Sequence, residues 1–229
     1  MQCVIICAGK GTRMRPLTET TPKPMLKVCG KPILQHVVEA LPAEIDELIL
    51  VVGYLKEQIM DFCKDEFLGK KVQYALQENF AGGTGDALLC AKDLLKGKFL
   101  FMYADDLHGK KALAKVVKEA HGVLSMTSKT PERFGVLELN PDGTLKQIME
   151  KPEHPSSNLI NIGGFVIDPA ICDYAVATSK SGELYVTDMI NEYAKTHKVS
   201  VVAQEEWLPI GYPEDIVEAE SVLCPTQID

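Results

Sequence analysis

Residues 8 to 16, "AGKGTRMRP", set three cations beside two glycines directly after the apolar run "CVIIC". A glycine-rich turn leaving an apolar strand can point backbone N–H groups inward, where Lys10, Thr12 and Arg13 would join them around phosphate oxygens. Gly9 and Gly11 matter there because a Cβ would block close approach. The pattern is neither G-x-x-x-x-G-K-[ST] nor G-x-G-x-x-G, and taken alone it reads as an ordinary surface loop. What changes that reading is "TPKPML", in which Pro22 and Pro24 stiffen the chain around Lys23. Held against an α-phosphate, such a cation offsets the charge that grows as a pentacovalent centre forms. Two more groups could join them. "FMYADD" ends an apolar run at Asp105 and Asp106, and "QENFAGGTGDAL" sets Gln77 ahead of Gly82, Gly83 and Thr84. Paired carboxylates at a strand end are commonly a solvated turn, but beside a phosphate loop they suit Mg²⁺, which takes one or two carboxylates together with substrate phosphates.

These groups need a scaffold that brings them together. "CVIIC", "ELILVVG" at 47 to 53, "KVQYAL" at 71 to 76 and "KFLFMYA" at 98 to 104 read as buried strands. Between them lie helical patterns: "PILQHVVEAL" after Gly30 and Pro32, an amphipathic segment from 55 to 67, and "ALLCAKDLL", with Thr84 as its N-cap. "KALAKVVKEAH" follows Asp105 and Asp106. This β-α alternation predicts a mostly parallel sheet covered by helices on both faces, with ligands at the carboxyl ends of the strands. The loops 8–24, 77–86 and 105–108 all leave those ends, so they should meet at one crevice. From about 123 the signals turn antiparallel, with "GVLSMTS", "FGVLELN", "TLKQIMEK" and "LINIGGFVID" as short strands. Helices at about 169 to 178 and 186 to 197, a strand "KVSVVAQ" and a last helix after "GYPED" follow. Residues 1–229 are expected to form one compact domain with two halves, about 1–122 and about 123–229.

Bulk properties narrow the partners. The net charge is −8, which argues against a broad basic face for nucleic acid, yet residues 1 to 31 hold six cations against Glu19 alone. A local positive site on an acidic body suits a small anion. No apolar run approaches the roughly 20 residues that cross a bilayer, and no cleavable leader is visible. A soluble cytoplasmic protein without membrane partners is expected. The 7 cysteines show no C-x-x-C pair, which predicts reduced, mostly buried thiols.

"AGKGTRMRPLT" with "TPKPMLKVCGKPIL" resembles the amino-terminal signature of the sugar-1-phosphate nucleotidylyltransferases. That resemblance extends through most of the chain. It implies a Rossmann-like three-layer α/β/α fold with a mixed, mostly parallel sheet and a smaller sugar-binding lobe. The implied reaction joins an NTP to a sugar 1-phosphate, giving NDP-sugar and pyrophosphate with Mg²⁺. By the same resemblance Arg13 and Lys23 serve the reacting phosphates, and Ala8, Gly9, Lys10, Gly11, Thr12, Gln77, Gly82, Gly83 and Thr84 hold the nucleotide. Asp105 binds metal, while Gly135, Glu150, Lys151, Asn161 and Gly163 form the sugar-phosphate site.

Gln77 favours UTP or dTTP, and glucose 1-phosphate is the commonest acceptor in the family. A homo-oligomer remains open, and with the chain ending near 229 no appended hexapeptide-repeat domain is expected. "WLPIGYPEDIVEAE" departs from the family's W-x-D-I-G-T-P-E-D-[LI], since Pro209 replaces an aspartate that often binds metal and Tyr212 replaces a threonine. Two alternatives follow: a nucleotide or sugar-phosphate sensor with weakened catalysis, or transfer to another acceptor such as mannose 1-phosphate or phosphocholine. The five histidines show no catalytic pairing, and serine-nucleophile motifs are absent.

Overall fold

The computed structural model describes residues 1–174, 176–179 and 182–225. In chain order the elements are β1 (Gln2–Ile6), the short hairpin β2 (Lys27–Val28) and β3 (Lys31–Pro32), α1 (Ile33–Ala40), β4 (Glu47–Val52), α2 (Lys56–Cys63), β5 (Glu66–Phe67) and β6 (Lys70–Leu76). There follow α3 (Gly83–Cys90), β7 (Phe99–Tyr103), β8 (Asp106–His108), α4 (Lys110–Val116), β9 (Gly122–Thr127), β10 (Gly135–Leu139), β11 (Leu145–Glu150) and β12 (Leu159–Ile167). The last are α5 (Val186–Ala194), β13 (Ser200–Ala203), β14 (Trp207–Pro209) and α6 (Pro213–Leu223).

One ten-stranded sheet runs in the order β11-β10-β12-β7-β1-β4-β6-β5, with β9 between β12 and β13. Its centre, β7-β1-β4-β6, is parallel throughout. Beyond β7, β12 runs antiparallel and leads into the antiparallel β10 and β11. The continuous apolar strands explain the burial. Along β1, Cys3 and Ile5 face a core shared with α1, α2, α4 and α6, whereas Val4 faces a second core shared with α3 and α5. Because successive side chains alternate faces, a strand apolar at every position demands cover on both sides. The result is three layers, with β1 fully enclosed between β4 and β7.

Each helix follows from its local sequence. In α1, Ile33, Leu34, Val37 and Val38 make one buried stripe, and Pro32 precedes it. At the start of α6, Pro213 needs no N–H partner, and Asp215 Oδ2 accepts the Gly211 and Tyr212 N–H groups at 2.7 and 2.8 Å.

Several sequence expectations are corrected. Cys29 and Cys224 form a disulfide across a separation of 195 residues, although neighbouring spacing gives no hint of it. The other five cysteines are free thiols, and Cys90 among them is exposed. Thr84 is not an N-cap: α3 begins one residue earlier, capped by Gly82, and the Thr84 hydroxyl instead accepts the Val186 N–H at 3.0 Å. The helix expected at 169–178 is a 3₁₀ turn, Pro169–Asp173, and residue 175 of that span lies outside the described residues. The segment 55–67 divides into α2 and β5, and the helix expected to reach 197 ends at Ala194. Among the described residues no helix is long and apolar enough to cross a membrane.

Candidate active site

The loop after β1 is anchored before it is functional. Tyr54 donates its N–H to Ala8 O at 3.1 Å, Met14 is fully buried, and the Thr18 hydroxyl donates to Gly11 O at 2.8 Å. Gly11 adopts φ +57°, and a Cβ there would lie 3.1 Å from Thr18 Cγ2 and 3.2 Å from Lys23 Cβ. Glycine is therefore required on two counts, a left-handed backbone and a close approach to the Lys23 stem. That contact folds "TPKPM" back against the loop.

Lys23 is 9% exposed, and its ammonium is ion-paired with Asp105 Oδ2. Asp105 follows β7, where Ala104 N–H donates to Ile6 O at 3.2 Å and the Asp105 carbonyl accepts from Ile210 N–H at 2.9 Å. The ends of β1 and β7 and the approach to α6 are thus tied to one point. Next to it, Asp106 Oδ1 accepts Trp207 Nε1–H at 3.1 Å, and Asp106 lies opposite Pro209 in the β8–β14 ladder. Burial first, and then the neighbouring Asp105, raise the Asp106 carboxyl well above the usual carboxylate range, while Lys23 and Trp207 oppose that shift.

The other cations rest on aromatic rings. Lys10 Nζ lies 5.2 Å from the Phe80 centroid, and the Arg13 guanidinium lies 5.3 Å from that of Tyr212. Gly53 closes the gap between the first loop and the Gln77 segment: a Cβ there would come within 2.8 Å of Gln77 O and Phe80 Cε1 and 3.0 Å of Ala8 Cβ. Gln77 is buried, and its Nε2 donates to Asp86 Oδ2 at 2.8 Å and Gly83 O at 3.1 Å.

On the β12 side, Gly163 takes φ +84° at a register shift, with its N–H donated to Asn161 Oδ1 at 3.1 Å. A Cβ at 163 would fall 2.5 Å from Tyr103 Cδ2 and 2.6 Å from Asp106 Oδ2. Gly135 pairs with Glu150, and a Cβ there would lie 3.1 Å from Glu150 Oε2. Burial raises the Glu150 carboxyl, with Lys151 opposing and Asp188 adding. Lys151 has φ +44° and donates its N–H to Phe134 O at 3.0 Å. Burial and then Asp106 raise the Tyr103 phenol, with Thr84 opposing and Glu150 and Asp105 adding, so these groups surround one side chain.

The predicted meeting is seen in Lys23 with Asp105 and Lys10 with Phe80, which join the loop 8–24 to each of the other two. Sequence reasoning missed Tyr103, Phe80 and Asp86 and assigned no role to Tyr212. An aromatic at the last position of a buried strand is indistinguishable from core in sequence, and Asp86 read only as part of a helix start. Trp207 touches Asp106 through its indole N–H.

The fold and this arrangement together place the molecule in a class. Residues 2–224 match the nucleotidyl transferase family, and the chain belongs to it. Among curated relatives, the bifunctional protein GlmU of Methanocaldococcus jannaschii is 39% identical over 226 residues, covering 97% of this chain and 54% of that protein. The chain thus spans about half the length of the GlmU relatives it matches. The UTP–glucose-1-phosphate uridylyltransferase AglF of Haloferax volcanii is 37% identical, with 97% of this chain and 96% of that one covered. A UDP-glucose pyrophosphorylase solved with UDP-glucose superposes with a TM-score of 0.84 at 26% identity, covering 96% of this chain and 97% of the other.

Proposed function

We propose that this chain transfers a nucleotidyl group from an NTP, with UTP or dTTP preferred, to a sugar 1-phosphate, glucose 1-phosphate being the first candidate. The observation that carries the reading is the convergence of the Gly11 loop, the Lys23–Asp105 pair and the Gln77 segment at the carboxyl ends of β1, β7 and β6. Similarity to AglF and to the UDP-glucose pyrophosphorylase supports the choice of substrates. In this reading residues 1–122 take the nucleotide and 123–229 the sugar phosphate within one working unit, in the cytoplasm and without nucleic acid or membrane.

A phosphate oxygen of the sugar 1-phosphate attacks the α-phosphorus, a new P–O bond forms, and the bond to the bridging oxygen breaks as pyrophosphate leaves. The attacking oxygen is already anionic at neutral pH, so no general base is needed. The chain's task is to bring two polyanions into line and screen their repulsion. Arg13 steadies the departing pyrophosphate, with Lys10, Thr12 and the backbone of Ala8, Gly9 and Gly11 beside it. Lys23 serves the α-phosphate, exchanging its Asp105 partner for phosphate oxygens. Gln77 reads the base, with Gly82, Gly83 and Thr84 lining its approach. Lys151 holds the sugar phosphate, and Glu150, Asn161, Gly135 and Gly163 shape the sugar side.

The residues present fit Mg²⁺. Asp105 and Asp106 give two adjacent hard oxygen donors, and the raised Asp106 carboxyl is one that a cation would relieve. Asp106, opposite Pro209, would take the role of the aspartate that position lacks. When bound, the ion neutralises phosphate charge.

The test is a panel of NTPs against glucose 1-phosphate, mannose 1-phosphate and phosphocholine, read by pyrophosphate release with and without Mg²⁺. Release with a sugar 1-phosphate supports the reading. Nucleotide binding without any release, the outcome Pro209 would favour, points to a sensor, and release with phosphocholine alone changes the acceptor.

A further inference from the structure

Gln77 is the residue the proposed function sets against the base, yet it does not have both ends of its amide to offer. Its Nε2 donates to Asp86 Oδ2 at 2.8 Å and to Gly83 O at 3.1 Å. A carboxylate and a carbonyl can only accept, so the amide has one satisfied orientation, with nitrogen inward. Turning it over would set Oε1 against two acceptor oxygens in a buried place, since Gln77 is 5% exposed. Among the described residues, no hydrogen bond is assigned to Oε1.

The seat of Asp86 is itself built. A Cβ on Gly82 would lie 2.3 Å from Asp86 Oδ2 and 2.4 Å from Asp86 Cγ, so only a glycine lets the carboxylate fold back toward Gln77. On the other side, Gly83 has φ +85°, and its neighbour Gly82 O accepts from Leu184 N–H at 2.8 Å. That bond ties the turn carrying the Gly83 carbonyl to the segment before α5.

Resting on the nucleotidyl-transfer reading, we propose that Asp86 is a positioning residue that makes Gln77 an acceptor only, and that this fixes which pyrimidine the site takes. Uracil and thymine carry a ring N3–H that donates to Oε1. Cytosine has an unprotonated N3, which meets Oε1 as acceptor against acceptor. A site that leaves a buried polar group facing its like rejects that ligand strongly. UTP and dTTP are therefore accepted, and CTP is excluded by polarity rather than by size.

The experiment compares UTP and CTP in the wild-type chain and in Asp86→Ala, by calorimetric binding and by kcat/KM for pyrophosphate release with glucose 1-phosphate. The wild type prefers UTP by roughly a hundredfold. In Asp86→Ala one of the two acceptors is gone and the amide can turn. The preference then falls at least about tenfold, on the scale of one charged hydrogen bond. The absolute value for CTP rises while that for UTP falls, whereas general damage to α3 would lower both. Asp86→Asn, which keeps the volume and can present either atom, gives an intermediate preference and carries the test if the alanine variant does not fold. A UTP-to-CTP ratio within twofold of wild type in these variants overturns the inference. Binding of UTP over CTP without any pyrophosphate would overturn the transfer reading alone, and binding of neither would overturn both.

Discussion

Replacing Gly163 with alanine separates two costs that the structure superimposes. The first is conformational: φ is +84°, a region in which an L side chain costs about 1–2 kcal/mol. The second is spatial, because the new methyl would lie 2.5 Å from Tyr103 Cδ2 and 2.6 Å from Asp106 Oδ2, and neither neighbour hangs freely. Tyr103 belongs to β7, inside the sheet, and Asp106 is held by Trp207 at 3.1 Å. Overpacking of this kind costs a further ~1–3 kcal/mol, for a total of about 2–5 kcal/mol. Gly143 provides the comparison, with φ +81° and nothing within 4 Å of a Cβ. Its alanine variant bears the first cost only. At roughly 2–4 °C per kcal/mol for a domain of this size, Gly143→Ala lowers Tm by about 2–8 °C and Gly163→Ala by about 4–20 °C. Urea and thermal unfolding of both variants measure the difference, and Mg²⁺ titration of pyrophosphate release shows whether displacing Asp106 also weakens metal use. Equal destabilisation at the two positions would refute the crowding assigned to Tyr103 and Asp106.

Three other outcomes are expected. Arg13→Ala cuts pyrophosphate release by roughly a hundredfold or more, the scale of one lost transition-state charge contact; near-normal release would remove Arg13 from the reaction. Asp105→Asn abolishes the Mg²⁺-dependent rate, and the same change at Asp106 lowers the apparent affinity for Mg²⁺; an unchanged Mg²⁺ profile in the second variant would show that Asp106 does not stand in for the carboxylate missing at 209. The third concerns His108, which is 6% exposed and held by burial at a pKa of about 3, with Nδ1 facing Gln204 Nε2 at 2.8 Å. Its folded pKa is depressed, so its contribution is present above the unfolded value near 6.5 and is lost as pH falls toward 3, at about 1.4 kcal/mol per pH unit. His108→Asn should keep the Gln204 contact and flatten the fall in urea stability between pH 6 and 4, whereas parallel curves would contradict the assignment.

Much of the scaffold was legible because its strands are buried on both faces. Runs such as "CVIIC" and "ELILVVG" leave no polar face to disguise them, and the β-α alternation then dictates a parallel centre with its loops at one end. The Lys23–Asp105 meeting was foreseeable for the same reason: the ends of adjacent parallel strands must be neighbours. Other features needed three dimensions. Tyr103 alternates with core residues in β7 and has no signature of its own. Asp86 acts on Gln77 through a fold-back that depends on Gly82. The Cys29–Cys224 bond joins residues whose separation carries no spacing rule, so composition alone pointed to seven thiols. Thr84 looked like a cap because a hydroxyl before a helix usually is one, but here its oxygen is engaged by Val186.

The Cys29–Cys224 bond also gives the covalent chain a shape of its own. It closes residues 29 to 224 into a ring and leaves the first 28 residues as a free tail. That tail contains β1, the strand lying between β4 and β7, and it carries Lys10, Arg13 and Lys23. Asp105, Asp106, Gln77 and the residues proposed for the sugar side all belong to the ring. The strand outside the ring, β1, is therefore clasped between β4 and β7, two strands of the ring, and the cations proposed to meet phosphate lie on the segment that the bond does not enclose.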